Sequence, residues 1–391
     1  LTAPPPARLS LAVALHRADG AGYANRGARG TADAQRAQAG GAKRGVLPSV
    51  GADASLLRTT DPINAFGFAL KQRGVSMASF APAALNDPAA ISNYAAGITV
   101  QQPIVNVDAW AGLRAARSAA SAAEAHADWT RITLRADVVQ AFYGAVLAHE
   151  HAGTMATAAR AAREHVRAAE LAANSGLVTR SDALLARVRS GDVEGQRLEA
   201  ESSARLARSR LALLLGAPGD TAFTLPDTLP IAAELRLERS DVTVRADISA
   251  AAKARESARL DLRRAQASLL PRLNGFARYE WNSPDRPAAG KPMWTLGAVV
   301  SWSPFGGGAE LADVRGAAAR ARGADTQAEA ARALAMLERQ GADEAWSVAA
   351  VRAAIADTAV TQSDEALRIV QKKYDGGIAA ISELLDAAAA N

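Results

Sequence analysis

The sequence predicts a mainly helical protein with a small membrane β part. Four strands per protomer would contribute to a trimeric twelve-stranded barrel, continued by a long antiparallel α-helical barrel. Three observations carry this expectation. The chain of 391 residues is 49% hydrophobic but only 5% aromatic, and alanine supplies much of the apolar count. Such a composition suits long helices packed through small side chains. Two segments recur at one fixed offset, and two others alternate apolar and polar residues with tryptophans on the apolar side.

The bulk numbers also exclude. Lys and Arg total 45 against 40 Asp and Glu, interleaved as on solvated helix faces, which gives nucleic-acid binding little support. There is no cysteine among the 391 residues, so disulfides, thiolate metal sites, cysteine nucleophiles and a cysteine-borne lipid anchor are not expected. The opening "LTAPPPARLSLAVAL" lacks the charged region and apolar core of a signal peptide. No window approaches 18 uninterrupted apolar residues, so no transmembrane helix is expected; a membrane β-barrel, whose strands signal far more weakly, stays open.

The repeat organises the chain. "GITVQQPIVNVDAWAGLRAARSAA" (from Gly97) resembles "AVVSWSPFGGGAELADVRGAAARA" (from Ala298), and "SGLVTRSDALLA" (from Ser175) resembles "GGIAAISELLDA" (from Gly376). Pro103 to Pro304 and Gly176 to Gly377 both span 201 residues, so proline and glycine lie 73 apart in each half. A third pair, "GVLPSV" and "SLLPRL", lies upstream with unequal gaps, because the first half carries about 22 extra Pro-, Gly- and Asn-rich residues.

The elements follow in order. Residues 1–45 form an amino-terminal helix, weakened by about 1 kcal/mol per exposed interior glycine. Residues 46–102 are a first strand pair with an external loop over 58–93. Val50, Ala52, Ala54 and Leu56 alternate with Ser49, Gly51, Asp53 and Ser55, and Tyr94, Ala96, Ile98 and Val100 with Ala95, Gly97, Thr99 and Gln101. Residues 103–215 are a helical hairpin turning at Gly176, its second helix running from Ser181 to Leu215. The first helix carries a stripe of Ile132, Val139, Phe142 and Val146, with Val138 and Leu147 beside it. An equatorial segment (216–245) and a helix (246–268) lead to a second strand pair (269–303).

In that pair, Leu273, Gly275, Ala277, Tyr279 and Trp281 share one face, and so do Trp294, Leu296, Ala298, Val300 and Trp302. Trp294 and Trp302 are eight residues apart, roughly 26 Å at strand rise, which matches the ~25 Å apolar band of an outer-membrane barrel with aromatic girdles. Tyr279, Trp281, Trp294 and Trp302 are the expected membrane-interface aromatics. Four strands cannot close alone in lipid, whereas three copies would give twelve. Residues 304–391 form a second helical hairpin. By the repeat it is incomplete, with about 26 residues of returning helix expected beyond Asn391.

"SWSPFGGG" has the outline of a phosphate loop, but no lysine followed by Ser or Thr comes after its glycines. The glycines fit a joint between strand and helix instead. In "AHEHA", His149 and His151 point apart on a helix, so no metal site is read there. No Ser/His/Asp arrangement or isolated acidic pair marks a pocket; the chain reads as neither enzymatic nor cofactor-bearing.

Taken together, "TVQQPIVN", "NSGLVTRSDALLA", "LLPRL", "SWSPFGGG" and "KKYDGGIAAISELLDA", in this order and doubled, resemble the outer-membrane efflux protein (TolC-like) family. The resemblance implies the exit duct of a tripartite efflux or type I secretion system: a homotrimer in outer-membrane lipid that extends into the periplasm. A periplasmic adaptor would open it, and an inner-membrane pump would feed it. Pro103 and Pro304 would be the strand-to-helix joints. Gly176, Leu177, Arg180, Gly377 and Ile378 would form the adaptor-docking tips. Asp182, Tyr374, Glu383 and Asp386 would form the pore constriction. The family's second-repeat basic residue is replaced by Ala379, so closure would draw on Arg180, Lys372 or Lys373. The contrasting reading is a soluble Ala-rich coiled-coil scaffold, which would bury the Trp294/Trp302 face in a core.

Overall fold

The computed structural model describes residues 8–217, 223–226, 245–379, 383–384 and 387–388. It has two compact units. One gathers residues 31–124 and 249–329 and contains the sheet; the other gathers 1–30, 125–248 and 330–391.

The amino-terminal helix is in fact two, α1 (Leu11–Ala21) and α2 (Tyr23–Gly41), followed by a short 3-10 turn. The break at Gly22 is set by packing. A Cβ there would lie 2.6 Å from both the Ala18 carbonyl oxygen and Leu134 Cδ2. Gly216, at φ +67°, approaches the same corner, where a Cβ would lie 2.0 Å from the Ala21 carbonyl oxygen. Gly20, Gly27 and Gly30 remain helical.

Strand β1 (Ser49–Thr59) pairs antiparallel with β2 (Ile91–Val105), β2 with β3 (Arg272–Ser283), and β3 with β4 (Pro292–Ser301), in the spatial order β1-β2-β3-β4. The stretch expected as an external loop holds two short helices, α3 (Pro62–Lys71) and α4 (Pro82–Asn86). Asp61 caps α3 by accepting the Asn64 N–H, and Pro62 takes the first turn, where no N–H is needed. Phe66 and Phe80 meet edge to face at 5.7 Å and hold this excursion together.

The long helices are α5 (Val107–Asn174), α6 (Arg180–Leu214), α7 (Ala246–Ala267) and α8 (Ala309–Asp375). At 68 residues α5 has a path of about 100 Å. Its buried stripe is Leu134, Val138, Phe142 and Val146, at strict i, i+4 spacing, packed with Ala18, Leu211 and Leu215. Ile132 and Leu147, expected on or beside that stripe, are exposed, and Val139 is half-buried. Of the equatorial segment, Phe223 is buried in this core and Leu9 N–H donates to the Thr224 carbonyl at 2.9 Å; most of the remainder lies outside the described residues.

Candidate functional site

The register brings the alternating faces of all four strands into one surface. Val50 lies opposite Val100, and Val100 opposite Ala277; Ala52 opposite Ile98, and Ile98 opposite Tyr279; Tyr279 lies opposite Trp294, and Leu273 opposite Val300. Every residue of the apolar alternation within the strands thus falls on the same side. This surface lacks a cover: Val50, Leu296 and Trp294 are 71%, 72% and 74% exposed. A core-facing sheet would bury such residues. Tyr279 and Trp281 stack edge to face at 4.9 Å toward one end of the band. Trp302 lies one residue past β4, and its indole N–H donates to the Leu269 carbonyl at 3.1 Å. It therefore belongs to the joint rather than the strand.

The opposite side carries the charges. Asp53, Arg278 and Glu280 are there, whereas Arg58 stands on the apolar side at its far end. Arg278 donates to Asp53 at 2.9 and 3.1 Å, to Glu280 at 2.8 Å and to Thr99 at 3.0 Å. Gly97 makes room for the guanidinium, since a Cβ there would lie 2.9 Å from Arg278 Nη2. Asn93 donates to Asn282 at 2.7 Å, both 2% exposed. The sequence reading missed this network. The polar alternation was visible, but Asp53 and Arg278 are 225 residues apart and only the register joins them.

The two joints differ. β2 continues through Pro103 to Val105, with a register irregularity between them, so Pro103 is not the turn itself. It lies beyond β1's last pair, Ser49–Gln101, where a missing donor costs no bond to β1. Asn106 makes the turn instead: its carbonyl accepts from Ala109 and Trp110, and its side-chain amide donates to Asn274 at 3.0 Å. Pro304 sits between β4 and α8. There Gly307 and Gly308, at φ +70° and +87°, carry the reversal.

The two helical tips are built alike. Gly176 N–H bonds the Ala173 carbonyl (3.1 Å) and Leu177 N–H the Ala172 carbonyl (2.9 Å). At the other tip Gly377 N–H bonds Tyr374 (2.9 Å) and Ile378 N–H bonds Lys373 (2.8 Å). Both glycines are left-handed, φ +73° and +72°. This is the Schellman stop, repeated 201 residues on, with Leu177 and Ile378 exposed beyond it.

Asp182 has a local bond. Its carboxylate accepts the Thr179 N–H at 3.0 Å and the Thr179 hydroxyl at 2.8 Å, while its own N–H donates back to Thr179 Oγ1: a capping box at the start of α6. Tyr374 is half-buried near the end of α8. Glu383 is exposed and helical beside buried Leu384, and Asp386 lies outside the described residues. Among the described residues, no group of three or more His, Asp or Glu side chains is placed to hold a metal ion.

A sheet with one lipid-compatible face and one polar face, joined to helices of this length, defines an outer-membrane channel protomer. The family model described as outer membrane efflux protein matches residues 26–217 and 243–391. The chain belongs to that family, which makes it an efflux channel of the outer membrane and sets aside the soluble scaffold. The fold is that of solved channels. The Campylobacter jejuni CmeC outer membrane channel shares 17% identity over 97% of this chain and 79% of its own, at TM-score 0.82. VceC of Vibrio cholerae shares 21% over 97% and 89%, at 0.77. The open state of MtrE from Neisseria gonorrhoeae shares 20% over 96% and 82%, at 0.74. No curated protein matches the sequence.

Proposed function

We propose that three copies join β1 edge to β4 edge into one twelve-stranded barrel, forming a passive exit duct for a tripartite efflux or type I secretion system. The observation that carries this reading is the sheet itself, whose apolar face is continuous and whose outer edges, β1 and β4, have no strand beside them among the described residues. In lipid each unpaired backbone group costs several kcal/mol, and only closure removes the edges. The helical hairpins continue into the periplasm. Their Schellman tips (Gly176, Leu177 and Arg180; Gly377 and Ile378) are the docking points for a periplasmic adaptor that couples the duct to an inner-membrane pump. Asp182, Tyr374, Glu383 and Asp386 lie near those tips in sequence and form the constriction that the adaptor opens.

The test is envelope fractionation with the mass of the detergent-extracted protein. An outer-membrane trimer is expected, lost on Ala298→Pro. A freely soluble monomer or dimer, unaffected by that change, would refute the duct.

A further inference from the structure

The excursion between β1 and β2 does not fold away from the sheet. Lys71, the last residue of α3, donates to Glu280 Oε1 at 3.2 Å. Gln72, just after it, donates its side-chain amide to the Ser92 carbonyl at 2.8 Å and to Asn93 Oδ1 at 3.0 Å. Glu280 is in register with Gly97 and Asp53, and Asn93 lies on the same charged side, away from the tryptophan band. Asn93 and Asn282 are almost fully buried at this spot, each 2% exposed. A single chain of contacts runs from α3 through Glu280 and Arg278 to Asp53 on the outermost strand. Helix α3 is therefore moored to the water-side face of the sheet, at the end of the strands opposite the long helices.

We infer that α3 forms an outer constriction inside the barrel mouth, one copy from each protomer, narrowing the extracellular exit independently of the periplasmic tips. This rests on the trimeric-barrel reading, in which the charged face lines the lumen. The outward end of the barrel then admits small solutes while holding back bulky ones from outside, and the charges at its rim are mutually neutralised: Lys71 against Glu280, and Arg278 against Asp53.

The 391 residues contain no cysteine, which makes the test direct. Thr295 faces the lumen opposite Arg278, two residues deeper along its strand than Met293, the partner of Glu280. A Thr295→Cys reporter in intact cells is labelled from outside with two membrane-impermeant maleimides, one small and one carrying a bulky polymer. The small reagent is expected to label all variants alike. The bulky one is expected to react several-fold faster when Lys71→Ala and Gln72→Ala are combined, or when residues 61–88 are replaced by a short Gly-Ser linker; Lys71→Arg should keep the slow rate. Equal bulky-reagent rates in the parent, the double variant and the replacement, each still trimeric, overturn the constriction. A Leu296→Cys reporter separates the two ideas: if it labels as fast as Thr295→Cys, the barrel reading fails along with it.

Discussion

At the scale of single residues, the most informative side chains are those whose role is fixed by one contact. Gly216 cannot become alanine without cost: its φ of +67° disfavours any side chain by about 1–2 kcal/mol, and a Cβ would also press on the Ala21 carbonyl. Gly216→Ala should lower the unfolding midpoint in detergent more than Gly176→Ala, whose Cβ would meet nothing within 4 Å. Asp182 reads by resemblance as a gate residue, and in the structure it also caps the start of α6. Asp182→Asn separates them, because the amide oxygen still accepts the Thr179 N–H while the charge is gone. With a gate role, cation selectivity of the channel in planar bilayers falls; unchanged selectivity would confine Asp182 to the cap. What the sequence hid at this scale was partnership. Arg278 is one basic residue in an alternating strand until the register sets Asp53 and Glu280 beside it.

At the scale of elements, the strands were readable because period 2 survives in a sheet with two different faces. The joints were less so. Pro103 reads as a strand end, yet the strand outruns it, because its partner on the β1 side has already stopped. The short helices α3 and α4 were invisible under a Pro- and Gly-rich composition, although Asp61-Pro62 is a helix start. Leu296→Arg places a charge in the apolar band at a cost of about 2–4 kcal/mol near the bilayer midplane; the expected result is loss of outer-membrane trimer, with the same substitution at Thr295 tolerated. On the helices, Asp325 of α8 accepts from Arg255 of α7, with Arg259 beside it, and these hold its carboxyl below the usual aspartate range. Its stabilising contribution is complete above that range and disappears as pH falls through the lowered value. Asp325→Asn should therefore reduce the loss of α7–α8 stability on acidification, measured as the midpoint difference between pH 7 and about pH 3, by the modest amount a partly exposed pair supplies.

At the scale of the whole molecule, the doubling of the chain is what made the reading possible, and the two Schellman tips show it in backbone detail. Closure into a barrel was legible only by elimination, from four strands and a lipid-facing side. The first hairpin was readable from both of its helices, and the second from its repeat of the first at an offset of 201 residues. The central ladder has a further consequence, in the time at which things happen. Asn93 and Asn282 are 189 residues apart, so β2 has no β3 to meet until the entire first helical hairpin has been made. Loop closure over such a span is slow relative to local helix formation. The helices therefore form first, and the β1–β2 hairpin waits with its apolar side bare. During that interval the chain is most prone to aggregate, and a holdase that shields strand-length apolar segments would act there, before the sheet reaches lipid.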